Sequence, residues 1–245
     1  MTNYPTTFFL HIFLISNLIF SQSEISNNQN YKLFDSFDSY YNNGIFNGAE
    51  YVDRYMNFKK GNHKFFSKDE YILGDIIYNG QPYFNVKMKY DLLYDFLVVE
   101  YLNQMHNYLK LNNELVDEFK IEGYKFYKIT ENQDLTPFYG NGFFKEAYKG
   151  NNYTFYVKYL KSKSERFHNQ RVYYVFGEQS IHVLFYNNHY YRISKIKDVM
   201  NLLQEKEDQI QKFYTNYRKL YKKDREQFLE KLFKNLEDLD ALNNN

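Results

Sequence analysis

The sequence has no cysteine and no tryptophan, and its 245 residues include only three prolines and ten glycines. The absence of cysteine excludes disulfides, thiolate metal sites, a cysteine nucleophile and the acylated cysteine of a bacterial lipoprotein. Scarce glycine argues against phosphate sites lined by backbone. No Gly-x-Gly-x-x-Gly, no phosphate-cradling loop and no Gly-x-Ser-x-Gly elbow is present. Without tryptophan, only tyrosine is left in quantity for stacking on sugars. Charge of one sign is lacking too: 31 Lys+Arg stand against 30 Asp+Glu. The net field therefore favours neither nucleic acid nor an anionic membrane, no basic stripe with interleaved aromatics stands out, and nucleic acid is not expected as a partner.

Aromatic residues are what the chain has in excess, with 28 Tyr and 24 Phe. Phe, Tyr, Asn, Lys and Ile share AT-rich codons, so coding composition explains the bias without invoking a binding surface. Tyrosine rings bury well, and with 44% hydrophobic residues the chain has ample material for a core.

Phe8 to Phe20, "FFLHIFLISNLIF", is an apolar run followed by "SQS". It suits the apolar region of a signal peptide, and it is short of the ~20 residues that a spanning helix needs. The preceding "MTNYPTT" departs from the usual pattern by having no Lys or Arg. The expected organisation is a signal peptide over 1–21, a flexible mature start over 22–44, a β-rich domain over 45–195 and a helical segment over 196–245. No membrane span is expected once the leader is removed.

Alternation of period two dominates up to about Ser194 and helical spacing afterwards. Four segments, "FNGAEY", "YNGQPY", "YKGNNY" and "YNNHYY", place Gly or Asn between two aromatics. If four residues form each loop, the flanking rings become directly opposed across a hairpin. On that register position 182 opposes 195. "KSKSERFHNQ", residues 161–170, is polar throughout and reads as an exposed loop. Three helix faces follow: Ile196/Val199/Met200/Leu203, then Ile210/Phe213/Tyr214/Tyr217, then Phe228/Leu232/Phe233/Leu236/Leu239 with Asp224 as N-cap. The fold class is α+β, an antiparallel, curved or partly closed sheet with C-terminal helices packed against it.

Chemistry is sparse. His63, His106, His168, His182 and His189 show no i, i+4 pair and no His-Glu-x-x-His, so neither a metal nor another cofactor is expected. Asp91 and Asp95 in "YDLLYD" enclose three bulky apolar residues, which does not fit a calcium loop. Asp side chains bond nearby amides in connections, so the pair reads as a corner between strands better than as a site. A glycosidase-like pair across a cleft stays open. Glu100 and Glu146 lie in strands, where either can face inwards, and nothing in the sequence pairs them. Asp91, Asp95, Glu100 and Glu146 are the candidate catalytic acids.

"GNHKFF", "GDIIYNGQPYFNVKMKYDLLYDFLVV", "VDEFKIEGYKF", "GNGFFKEAYKG" and the tail "KEDQIQKFYTNYRKLYKKDREQFLEKLFKNLEDL" resemble uncharacterised exported proteins of the Bacteroidota, particularly flavobacteria. The likeness covers most of the mature chain and brings no activity, cofactor or catalytic residue. It implies a periplasmic or outer-membrane-associated destination. The function expected is non-catalytic binding or scaffolding of an envelope component or ligand. The alternatives are a polymer-degrading hydrolase with dispersed carboxylates and a carrier of an apolar ligand.

Overall fold

Strand alternation over residues 72–101 starts the sheet that organises the chain. The computed structural model describes residues 44–55, 61–101, 107–129, 134–135, 142–168 and 170–243. The expected signal peptide over 1–21 and nearly all of the 22–44 segment lie outside the described residues. Five strands come first: β1 (Ala49–Glu50), β2 (Ile72–Tyr78), β3 (Gln81–Asp91), β4 (Phe96–Tyr101) and β5 (Asn107–Lys110). Six more follow: β6 (Val116–Ile121), β7 (Tyr124–Ile129), β8 (Gly142–Lys149), β9 (Thr154–His168), β10 (Arg171–Tyr186) and β11 (His189–Ile193). They form one open antiparallel sheet in the order β1-β5-β4-β3-β2-β6-β7-β8-β9-β10-β11.

The sheet curls until distant strands meet. The Lys161 N–H of β9 donates to the Leu92 carbonyl at 3.0 Å, although four strands separate β3 from β9 in the sheet order. Residues 61–66 strap this gap. Phe66 N–H donates to Tyr90 O at 2.8 Å and Leu92 N–H to Lys64 O at 2.9 Å. At the other end of the strap, the Asn62 side chain donates to Tyr174 O and accepts from Phe176 N–H. The concave interior holds Tyr90, Phe119, Phe126 and Phe143. Phe119 and Phe126 stack at 4.8 Å, and Tyr90 meets both edge-on. Aromatic pairs prefer such offset and edge contacts, so the excess of rings is largely spent on packing.

The aromatic hairpins differ from expectation. In "YNGQPY" Tyr78 pairs with Gln81, not Tyr83, and the loop is only Asn79–Gly80, at φ 52° and 72°. "YNNHYY" repeats this, with Tyr186 opposite His189 around Asn187–Asn188. Two-residue turns with positive φ match the strand twist, and Asn and Gly adopt them readily. The rings are therefore displaced by two positions and are not opposed. His182 accordingly faces Ile193 rather than 195. "YKGNNY" also departs: its loop is Gly150–Tyr153, between the paired Lys149 and Thr154 and closed by Gly150 N–H to Tyr153 O at 2.8 Å, so Tyr148 faces Phe155 and not Tyr153. "FNGAEY" is no hairpin, because a 3₁₀ turn over Gly44–Phe46 leads into β1, which pairs with β5.

The polar stretch 161–170 is also different. β9 runs to His168 and pairs with β10 from Arg171 onwards, so strand structure continues through it as a two-stranded ribbon. Both of its faces are solvated over Ser162–His168, which removes the alternation that marks a half-buried strand.

Four helices end the chain: α1 (Ile196–Leu202), α2 (Glu207–Asn216), α3 (Arg218–Lys223) and α4 (Arg225–Asn243). Gln227 N–H donates to Asp224 Oδ1 at 2.9 Å, the expected N-cap. Phe228, Leu232, Phe233 and Leu236 of α4 are buried against Phe155, Val157 and Leu184. The helices thus cover the second half of the sheet. No helix among the described residues is long and apolar enough to cross a membrane.

Candidate functional site

The acidic corner is built inwards. β3 and β4 close at Asp91 opposite Phe96, leaving Leu92–Asp95 as the connection. The Asp91 carboxylate is wholly buried. Its Oδ1 accepts from the Leu93 and Tyr94 amides at 2.9 and 3.1 Å, fixing the turn, while Oδ2 lies 3.0 Å from Lys64 Nζ. Burial raises the Asp91 pKa, and Lys64 and the two amides act against that rise. Lys64 is itself buried, and its ammonium also lies 3.3 Å from Asp53. Four rings surround it, those of Tyr55, Tyr51, Phe65 and Tyr94, at 4.9, 5.1, 5.4 and 5.8 Å. A desolvated ammonium gains from the negative ring faces at such distances.

Asp95 turns elsewhere, from a backbone at φ 58° that Asp tolerates. Lys158 of β9 and the Tyr90 hydroxyl both donate to its carboxylate. Lys158 is only 1% exposed, and burial lowers its pKa against the pull of Asp95. Burial raises the Tyr90 hydroxyl well above its ordinary value, and Asp95 adds to this. Gly142, at φ 148°, opens β8 here, and a Cβ on it would collide with both Asp95 and Lys158.

The four candidate acids therefore do not assemble. Asp91 pairs with Lys64 and Asp95 with Lys158, so two neighbours in sequence serve two separate buried lysines. Glu100 has a partner the sequence did not reveal, Lys87 at 2.9 Å. Glu146 is half-buried on β8 opposite Tyr156. Among the described residues no group of three His, Asp or Glu side chains converges as a metal would need. Most of the histidines go to separate places. His182 is buried against Phe155, with its pKa lowered by burial, and His63 sits in the strap. His189 Nδ1 lies 3.4 Å from Asp134, and His106 lies outside the described residues.

What opens to solvent beside the corner is a cleft of about 410 Å³, between the β1–β5 edge and residues 65–71. Tyr71 and Tyr108 form one wall, stacked at 4.7 Å and 10°. Lys89 Nζ lies 4.6 Å from both the Tyr71 and Phe65 rings and bonds Asp69 at 2.7 Å. Tyr51 and Asp53, which also touch Lys64, complete it together with Glu50. Burial raises the Tyr71 and Tyr51 hydroxyls, so both stay neutral donors at physiological pH. A second cleft of about 360 Å³ lies over the β2–β3 bulge, where Glu118 and Lys125 are bonded to each other at 2.9 Å. Sequence reasoning missed the tyrosine cleft, because Tyr71 and Tyr108 lie 37 positions apart and only the sheet order joins them.

A further polar centre fixes the helices. Glu226 of α4 accepts from Lys145 Nζ and Tyr159 Oη, each at 2.6 Å. Glu237 accepts from the Asn151, Asn152 and Tyr153 amides at 3.0, 3.1 and 3.3 Å, filling the anion-binding nest of the β8–β9 loop. No family model, curated protein or solved structure matches the chain.

Proposed function

We propose that the protein is an exported envelope protein that binds a ligand without transforming it, and that the Tyr71–Tyr108 cleft is its binding surface. The leader supports export. The stacked tyrosine wall carries the binding reading: two parallel rings with hydroxyl donors and an ammonium beside them suit the apolar face and hydroxyl rim of a sugar ring. A hydrolase acting through Asp91 or Asp95 fits poorly, because each of these carboxylates is tied to a buried lysine. The test is a glycan array probed with the folded chain, followed by calorimetry on Tyr71→Ala and Tyr108→Ala. Retention of a glycan by the wild type and its loss by both variants is expected. Turnover of any bound glycan that ends with Asp95→Asn would overturn the non-catalytic reading.

A further inference from the structure

Some lysines of the sheet keep carboxylates beside them: Lys87 and Lys125 have one at 2.9 Å and Lys128 at 3.0 Å. The elbow between α2 and α3 does the opposite. Lys212, Arg218, Lys219, Lys222 and Lys223 occupy it, with no acid between Asp208 and Asp224. All five are exposed, and none of their side chains has a hydrogen bond or ion pair among the described residues. The balanced net charge of the chain conceals this cluster.

Helix geometry concentrates it further. At 100° per residue the four cations of α3 fall within one arc of about 140°. Leu220 and Tyr221 turn the other way, into the sheet–helix core. Arg218/Lys222 and Lys219/Lys223 are i, i+4 pairs of like charge, which destabilise a helix. The helix dipole explains Lys222 and Lys223 at the C-terminal end but opposes Arg218 and Lys219 in the first turn. A merely solvated face mixes signs, as α4 does with Glu230, Lys231, Lys234 and Asp238.

We infer that this elbow docks on the anionic surface of a lipid bilayer. Its cations are all exposed, which suits a broad charged plane. Tyr217, 46% exposed, stands at the apex between α2 and α3, where an amphipathic ring reaches headgroup depth. A nucleic acid would call for an element long enough to enter a groove, or several exposed rings to stack on. α3 has six residues, and Tyr217 is its one strongly exposed ring among the described residues. Each basic residue near an anionic leaflet strengthens binding about fivefold.

The experiment is flotation of the full chain with phosphatidylcholine vesicles, with and without added phosphatidylglycerol. Any binding through the apolar run Phe8–Phe20 is common to both vesicles, so the readout is the difference between them. A preference for the anionic vesicles that fades with salt is expected. The quadruple variant Arg218→Gln/Lys219→Gln/Lys222→Gln/Lys223→Gln should bind those vesicles about six-hundredfold more weakly. Its thermal unfolding should lie no lower than the wild type's, since all four side chains are exposed and neutralising them relieves the like-charge pairs. Equal binding to both vesicles, a variant that keeps the preference, or tighter binding to a short DNA duplex at the same salt would each overturn the inference.

Discussion

At the β3–β4 corner two lysines are buried, and each is matched to an aspartate. At the α2–α3 elbow five cations are exposed, with no ion-pair partner among the described residues. The difference follows from the dielectric around them. An unpaired charge inside a protein costs several kcal/mol, so burial forces Lys64 and Lys158 to bring their partners with them. In water an unpaired lysine costs almost nothing, and like charges on one helix turn repel by only a few tenths of a kcal/mol. Paired charges in the interior therefore report on how the chain folds. Unpaired charges gathered on the surface report on what surrounds it.

The sharpest way to break the comparison is Lys158→Met. It leaves Asp95 charged and half-enclosed, and should cost about 3–5 kcal/mol in urea unfolding. Adding Asp95→Asn to that variant should recover most of the loss. Asn keeps the positive φ and an acceptor for Tyr90 while removing the orphaned charge. If the double variant is no better than the single, the stability lies in packing and not in the pair.

Acidification should separate the two regions next. Burial, then the nearby Lys161 charge, lowers the His63 pKa below its ordinary 6.5, and burial does the same for His182. The native state therefore takes up protons less readily than the unfolded chain. The stability from neutral His63 is whole above 6.5 and is lost as pH falls from there through the lowered native value. Urea midpoints measured between about pH 7 and 5.5 should fall, and His63→Phe should flatten part of that slope, leaving the share of His182. Variants of the elbow should leave the slope as it is.

The smallest effect belongs to the elbow. Arg218→Glu replaces a repulsive pair with Lys222 by an attractive one, at the helix end where the dipole favours an acid, and should stabilise the fold by about 0.2–0.5 kcal/mol. A destabilised Arg218→Glu would mean that the cations are needed for the fold, and the contrast with the corner would disappear.

Part of this arrangement is legible in the chain. Asp91 at the end of an alternating strand and Asp95 before an apolar run mark the corner. Asp224 announces the last helix. The hairpin turns are legible as turns but not in register, because Asn-Gly and Asn-Asn can serve a two-residue or a longer loop, and the choice moves every ring by two positions. The ribbon was hidden because strands bare on both faces carry no alternation. Lys64 and Lys158 give no local sign of burial, and their aspartates lie 27 and 63 positions away.

The sequence by itself determined the α+β class, the switch from strands to helices near residue 195, the helix faces apart from Tyr217, and the acidic corner. These depend on neighbours within a few positions, where spacing translates directly into faces and caps. Only the tertiary structure decided that the two aspartates answer to different lysines, that Tyr71 meets Tyr108, and that the cations of the elbow form no ion pair among the described residues. Each of those outcomes depends on how far the sheet curls and on which strands it brings together. That is set by the summed packing of rings in the interior, which no local pattern contains.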